Sequence, residues 1–225
     1  MNSKPTARRG RFGLAALLSG AALVTAGLAG MAPAVAETGS VRSTEPAFWT
    51  WDSGNAVGSS QLVRSTNGVT AIFRTTGMPA NQAITLWFII FNNPSACLDT
   101  PCSLIDLLFN ADAGGDFHYG GGLVTGASGH ATFAGHLAVG DTSGSGKEEI
   151  GMGPAIALTE PYQAEVLLAL HTHGPKQTGL ALRSQLSSFL GGCAVFLGDA
   201  FGWAEGPHDI PDAMGECTTF QYSRH

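Results

Sequence analysis

Positive charge is scarce in this chain once its first 36 residues are set aside. Of the 11 Lys and Arg, four (Lys4, Arg8, Arg9 and Arg11) fall in that stretch, which holds no acidic residue. The seven that remain face all 17 Asp and Glu, a formal charge of −10 with neutral histidines. Such a surface repels a phosphate backbone, and no basic stripe or aromatic–basic interleaving offsets it, so nucleic acid and anionic membranes are poor partners. No apolar run after the leader approaches ~18 residues, so no membrane span is expected there. Also missing are internal repeats, the tight C-x-x-C pairs of a four-thiolate zinc site and the G-x-S-x-G elbow of hydrolases.

The first 36 residues read as a signal peptide. The basic residues form an n-region, Leu14 to Leu28 is an apolar core, and Ala34-Val35-Ala36 supplies the small-x-small pattern of a cleavage site. Arg8-Arg9 followed by Phe12 resembles a twin-arginine signal, but Arg11 stands where that pattern wants an apolar residue, which favours the general secretory route. The expected localisation is therefore secreted, extracellular or associated with the cell envelope. An oxidising compartment also explains the cysteines. Cys97, Cys102, Cys193 and Cys217 all follow the leader, and an even count there reads as disulfides. Three pairings are possible; Cys97–Cys102 and Cys193–Cys217 are preferred because each closes a loop between neighbouring segments.

After the leader we expect a flexible arm over 37–46 and a single disulfide-containing β domain over 47–225. Phe48 to Trp51 reads as a first short strand, and Val69 to Thr75 as a β-branched strand after the Asn67-Gly68 turn. Ile84 to Phe91, apolar on both faces and bounded by turn residues, reads as a central strand with Trp87 in the core. Thr100-Pro101 sits where an N-cap and first helical residue would, ahead of a short helix over roughly 102–109. Asp116 to Ala138 reads as a glycine-rich hairpin turning at Gly126–Gly129, with Gly120-Gly121-Gly122 as a loose edge in preference to a bulge or a place where another backbone or ligand comes close. Asp141 to Gly146 reads as a flexible loop, Gln163 to His171 as a strand, Leu180 to Leu190 as a second helix and Cys217 to Tyr222 as a closing strand. The fold class is mostly β: an antiparallel β-sandwich or barrel with one or two short helices in its connections.

The sharpest chemical feature is His171-Thr172-His173. If the strand runs through it, period two puts both imidazoles on one face, as paired histidines are presented in β-sheet metal sites. A third ligand is needed, and His118, Asp116 and His136 are candidates; zinc or copper would suit such a set. The competing account is structural, with each imidazole hydrogen-bonded to backbone. His130 and His136 share parity with Thr132 and Ala134, which reads as a solvated face. Glu205, Asp209, Asp212 and Glu216 lack the spacing of a calcium loop and read as a solvated acidic surface.

Three stretches carry a resemblance: Gly77 to Pro94, Ala131 to Leu137, and His173-Gly174-Pro175. Together they look like a group of uncharacterised secreted bacterial proteins, which implies export but no activity. The Gly77-Met78-Pro79 turn before an apolar strand is, more distantly, similar to CHRD domains and copper/zinc superoxide dismutase sandwiches. Those families place His-x-His on the strand that follows, whereas here it reads Leu86-Trp87-Phe88-Ile89. Gly140 to Gly146 resembles the nucleophile segment of chymotrypsin-like proteases, with Thr142 breaking the pattern. The expected function is a non-catalytic binding or envelope-associated module for a protein, glycan or small-molecule ligand. A metal-binding protein or metal-dependent enzyme using His171 and His173 is the alternative.

Overall fold

The apolar run that centres on Trp87 becomes the innermost strand of the sheet. In a computed structural model, which describes residues 39–50, 52–193 and 218–225, strand β4 (Gln82–Phe91) is paired on both sides, and eight of its ten residues are buried. The other strands are β1 (Val41–Trp49), β2 (Asp52–Ser65), β3 (Gly68–Thr75), β5 (Gly115–Val124), β6 (Ala131–Ala138), β7 (Glu165–Pro175) and β8 (Thr219–Arg224). They form an eight-stranded sheet in the order β5-β4-β7-β8-β1-β2-β3-β6, antiparallel at every ladder. The two end strands, β5 and β6, come close together, so the sheet is a nearly closed barrel. Among the described residues three short α-helices lie in the connections: α1 (Leu104–Phe109), α2 (Gly146–Glu149) and α3 (Gly179–Gln185).

Alternation along the strands divides two cores. Leu86, Phe88 and Ile90 of β4 point into the barrel with Val166, Leu168 and Leu170 of β7 and with Phe73 and Phe133. Trp87 and Phe91 point outwards and pack with Leu107, Phe117, Ile150 and Phe189. Trp87 is buried as expected, with the rings of Phe117, Tyr119 and Phe189 edge-on at 5.1–5.8 Å.

Several expectations change. The arm expected over 37–46 is strand from Val41 onwards, because β1 pairs with β2 along its whole length; backbone pairing rather than burial holds this mostly exposed segment. The hairpin expected over 116–138 does not form. β5 pairs with β4 and β6 with β3, so the Gly126–Gly129 turn links opposite ends of the sheet. The glycines of β5 are consequently not a loose edge. They lie at a seam where backbone meets backbone: a Cβ at Gly121 would sit 2.9 Å from the Ala134 oxygen, and one at Gly135 would collide with the Gly120 carbonyl. Only residues without side chains allow that approach.

The N-cap of α1 is Ser103 rather than Thr100. The Ser103 hydroxyl accepts from the Asp106 N–H while the Asp106 carboxylate accepts from the Ser103 N–H, a reciprocal capping box. The second expected helix stops at Gln185, and the stretch expected to be a flexible loop over 141–146 ends in the N-cap of α2, Ser145. The closing strand runs over Thr219–Arg224, slightly later than expected. Among the described residues no helix is long and apolar enough to cross a membrane. The stretch expected to be a leader, Cys217 and the acidic group Glu205, Asp209, Asp212 and Glu216 lie outside the described residues.

Candidate functional site

Strand β7 does continue through the histidine pair, so His171 and His173 emerge from the same, outward face, with ring centroids 4.9 Å apart. Thr85 of β4 faces them across the ladder. The chain from α3 to Cys193 covers them: Phe189 stacks on His171 at 4.2 Å, and the Gly191 carbonyl lies 2.8 Å from His173 Nδ1. Both side chains are buried. Burial holds the His173 pKa down at about 4, with the Gly191 carbonyl opposing; burial and then the neighbouring His173 push His171 well below the ordinary imidazole value. Both rings are neutral at pH 7.

The surroundings of His173 define its tautomer. Nδ1–H donates to the Gly191 carbonyl, and Nε2 accepts from the Thr85 hydroxyl at 2.8 Å; that hydroxyl in turn accepts from Trp87 Nε1 at 2.7 Å. His171 is less well served. Its Nδ1 lies 3.4 Å from Thr219 Oγ1, and its buried Nε2 has no hydrogen-bond partner. One ring nitrogen of each histidine and the Cys193 sulfur lie within 4.8 Å of one another. Cys193 was visible in the sequence only as a disulfide cysteine, and it is disulfide-bonded here; its expected partner, Cys217, is not among the described residues. The other expected pair, Cys97–Cys102, is bonded.

His118, the third expected ligand, is not with the pair. It lies on the face of β5 that joins Phe88 of β4, the inward face, whereas His171 and His173 project outwards. Asp116 shares that inward face, and His136 is exposed on β6, bonded to Thr70. A strand's parity can be read from sequence, but the face of a neighbouring strand cannot.

His118 instead belongs to a buried cluster with Asp116 and Ser145, residue types that also make hydrolytic triads. Their roles differ here. The Ser145 hydroxyl donates to the Asp116 carboxylate (2.8 Å), which also accepts from the Phe117 and Ile156 N–H groups at 2.7 Å. His118 Nε2 donates to the Ile156 carbonyl at 2.9 Å, and Asp116 lies 3.5 Å from the same nitrogen. The carboxylate therefore sits between serine and histidine, and no imidazole nitrogen is placed to take the serine proton as a triad requires. The cluster anchors the 145–156 segment to β5. Next to it, Lys147 Nζ donates to the Leu107 and Gly115 carbonyls, and Glu149 accepts from the Phe189 and Leu190 N–H groups. Through Glu149, helix α2 holds the segment that covers the histidine pair.

The third feature is a groove of about 350 Å³ on the outer face, between α1 and strands β4, β7 and β8. Ile89, Phe91, Leu104, Leu107 and Leu167 line it, together with Tyr222 and Arg224. Arg224 donates to the Glu165 carboxylate at 2.7 Å and to the Cys102 carbonyl at 3.0 Å. The Cys97–Cys102 bond and the capped helix thus set one wall. Nothing in the sequence marked this groove, because its residues come from five separate segments. No protein-family model matches the chain, and no curated protein or solved structure does.

Proposed function

We propose that this is a secreted, non-catalytic binding module whose outer groove takes a small apolar molecule with a polar end. The groove carries the reading: apolar side chains make most of its walls, and the Tyr222 hydroxyl and Arg224 guanidinium also line it, the usual composition of a small-molecule site. The export leader and the cysteine pairing of the sequence agree with an extracellular role. The one serine–histidine–carboxylate group among the described residues has its members in anchoring roles, which favours binding over hydrolysis. The resemblance to uncharacterised secreted bacterial proteins belongs to the same reading and adds no activity to it.

Decanoate serves as a probe, since it has an apolar chain and an anionic end. Titrated against protein with labelled methyl groups, it is expected to give saturable shifts at Ile89, Leu104, Leu107 and Leu167. Leu167→Trp, which fills the groove, should abolish them. Shifts spread over the surface, or unchanged binding by Leu167→Trp, would reject the groove as the site.

A further inference from the structure

We propose that His171, His173 and Cys193 form a binding site for a zinc-class divalent cation that becomes available when the Cys193 disulfide is reduced. Three donors from two segments, β7 and the end of the covering loop, converge here, and the Cys193 sulfur is 3.8 Å from His173 Nδ1. Tetrahedral zinc with bonds of about 2.0–2.3 Å places its nitrogen and sulfur ligands roughly 3.4–3.6 Å apart. Closing the present arrangement to that spacing needs displacements of about an ångström. Two neutral imidazoles and one thiolate suit zinc, cobalt or a similar borderline-soft ion better than calcium or magnesium.

Two features of the surroundings point to a ligand. His171 Nε2 is buried without a hydrogen-bond partner, and a bond to a metal would satisfy it. The Thr85 hydroxyl, beside His173 Nε2, can serve either tautomer of that ring. In the structure it donates to Nε2. With the proton moved to Nε2, Thr85 accepts from it and turns its own hydrogen towards the His171 carbonyl, 3.5 Å away. His173 Nδ1 is then released from Gly191 with its lone pair directed at a metal. An outer hydrogen bond of this kind holds most metal-ligating histidines in place.

A disulfide sulfur is a poor ligand, so the oxidised protein presents two histidines only. A dithiol reductant gives up two electrons and two protons and becomes its own disulfide; Cys193 and its partner become thiols. Metal binding then displaces the Cys193 proton to solvent and forms the metal–sulfur bond. Three protein ligands leave a fourth position for water.

The test uses the full chain after leader cleavage with cobalt and zinc as the probes, at neutral pH under inert gas. Oxidised protein, protein reduced with a phosphine that is then removed, and Cys217→Ala, which removes the expected partner of Cys193, are compared. Reduced protein and Cys217→Ala should bind one equivalent, at least tenfold tighter than oxidised protein, with a thiolate-to-cobalt charge-transfer band. Cys193→Ser and the double change His171→Ala with His173→Ala should each lose that band, whereas Cys97→Ser with Cys102→Ser should keep it. If Cys217→Ala unfolds without metal, zinc should restore its thermal transition. No binding by either thiol form, failure of zinc to restore the unfolded variant, equal binding by the oxidised protein, or a band that survives Cys193→Ser would each overturn the proposal.

Discussion

Leu86 and Trp87 are neighbours on one strand and belong to two differently built regions. Leu86 enters the barrel, where strands related by regular pairing bring apolar side chains together. Trp87 enters the outer layer, where α1, α2 and the chain up to Cys193 are laid over the sheet. In the barrel the ladders already satisfy the strand backbone, and its buried polar side chains pair with one another or with the segments that cross its end, as Thr75 does with Gln221 and Asp116 with Ser145. The outer layer consists of loops whose backbone groups would otherwise be buried unpaired, and side chains supply the partners: Glu149 for the 189–190 amides, Lys147 for the Leu107 and Gly115 carbonyls, His173 for Gly191. The histidine pair and Cys193 lie in that layer, candidate ligands close together.

The largest expected effect compares the two faces directly. Trp87→Ala should cost about 3–5 kcal/mol and Leu86→Ala about 2–5 kcal/mol in thermal or urea unfolding. They should differ in kind. Trp87→Phe retains most of the packing but withdraws the donor to Thr85, and should slacken the His173 network, visible as faster amide exchange over 189–193. An unchanged exchange rate there would sever the proposed link between Trp87 and the histidine pair.

Next comes the response to acid. The folded pKa of His173 is about 4, below the ordinary 6.5 of the unfolded chain, because burial disfavours the charged ring. The unfolded chain therefore binds the extra proton first. The associated stability is complete above about pH 6.5 and is lost as pH falls towards 4, by an amount on the order of 3 kcal/mol. His225, bonded to Ser43 and Ser60 at the barrel's own wall, is also held at about 4, by burial and then by Arg64; it contributes a smaller, solvent-screened share. Urea midpoints at pH 7.5 and 4.5 should converge in His173→Gln relative to wild type. His171, displaced further in the same direction, keeps part of the slope in that variant, so a slope wholly unaltered would mean that His173 contributes none of it.

A smaller effect is expected from Asp116→Asn. The amide loses one acceptor facing Ser145 and the Phe117 and Ile156 N–H groups, a cost of about 2 kcal/mol. Limited proteolysis should then cut within 145–156 first, while the barrel stays intact. The smallest effect belongs to the groove rim: Glu165→Gln should cost less than about 1 kcal/mol, because the Glu165–Arg224 pair is partly solvated. A larger loss would move that pair from the rim into the structural framework.

Local patterns made much of the fold legible. Asn67-Gly68 marks the β2–β3 turn, and the doubly apolar run marks β4 as central. The alternation Ala131, Phe133, Leu137 separates the buried face of β6 from exposed His130 and His136. β1 was only half legible, since polar residues that are held by backbone pairing leave no hydrophobic trace. Parity likewise put His171 and His173 on one face. It could not show that His118 points inwards, or that Cys193 arrives beside the pair, because both depend on segments far apart in the chain.

The sequence by itself determined which stretches extend, where most of them turn, that the chain is mostly β, and that two imidazoles would stand side by side. Those are consequences of side-chain period, β-branching and glycine or asparagine at turns, all local. Only the tertiary structure decided that β5 and β6 part to close a barrel instead of pairing as a hairpin. It alone set Thr85 against His173 and assembled the groove from α1 and three strands. Those arrangements follow from ladder order and from the need to pair buried backbone groups, which no single segment can express.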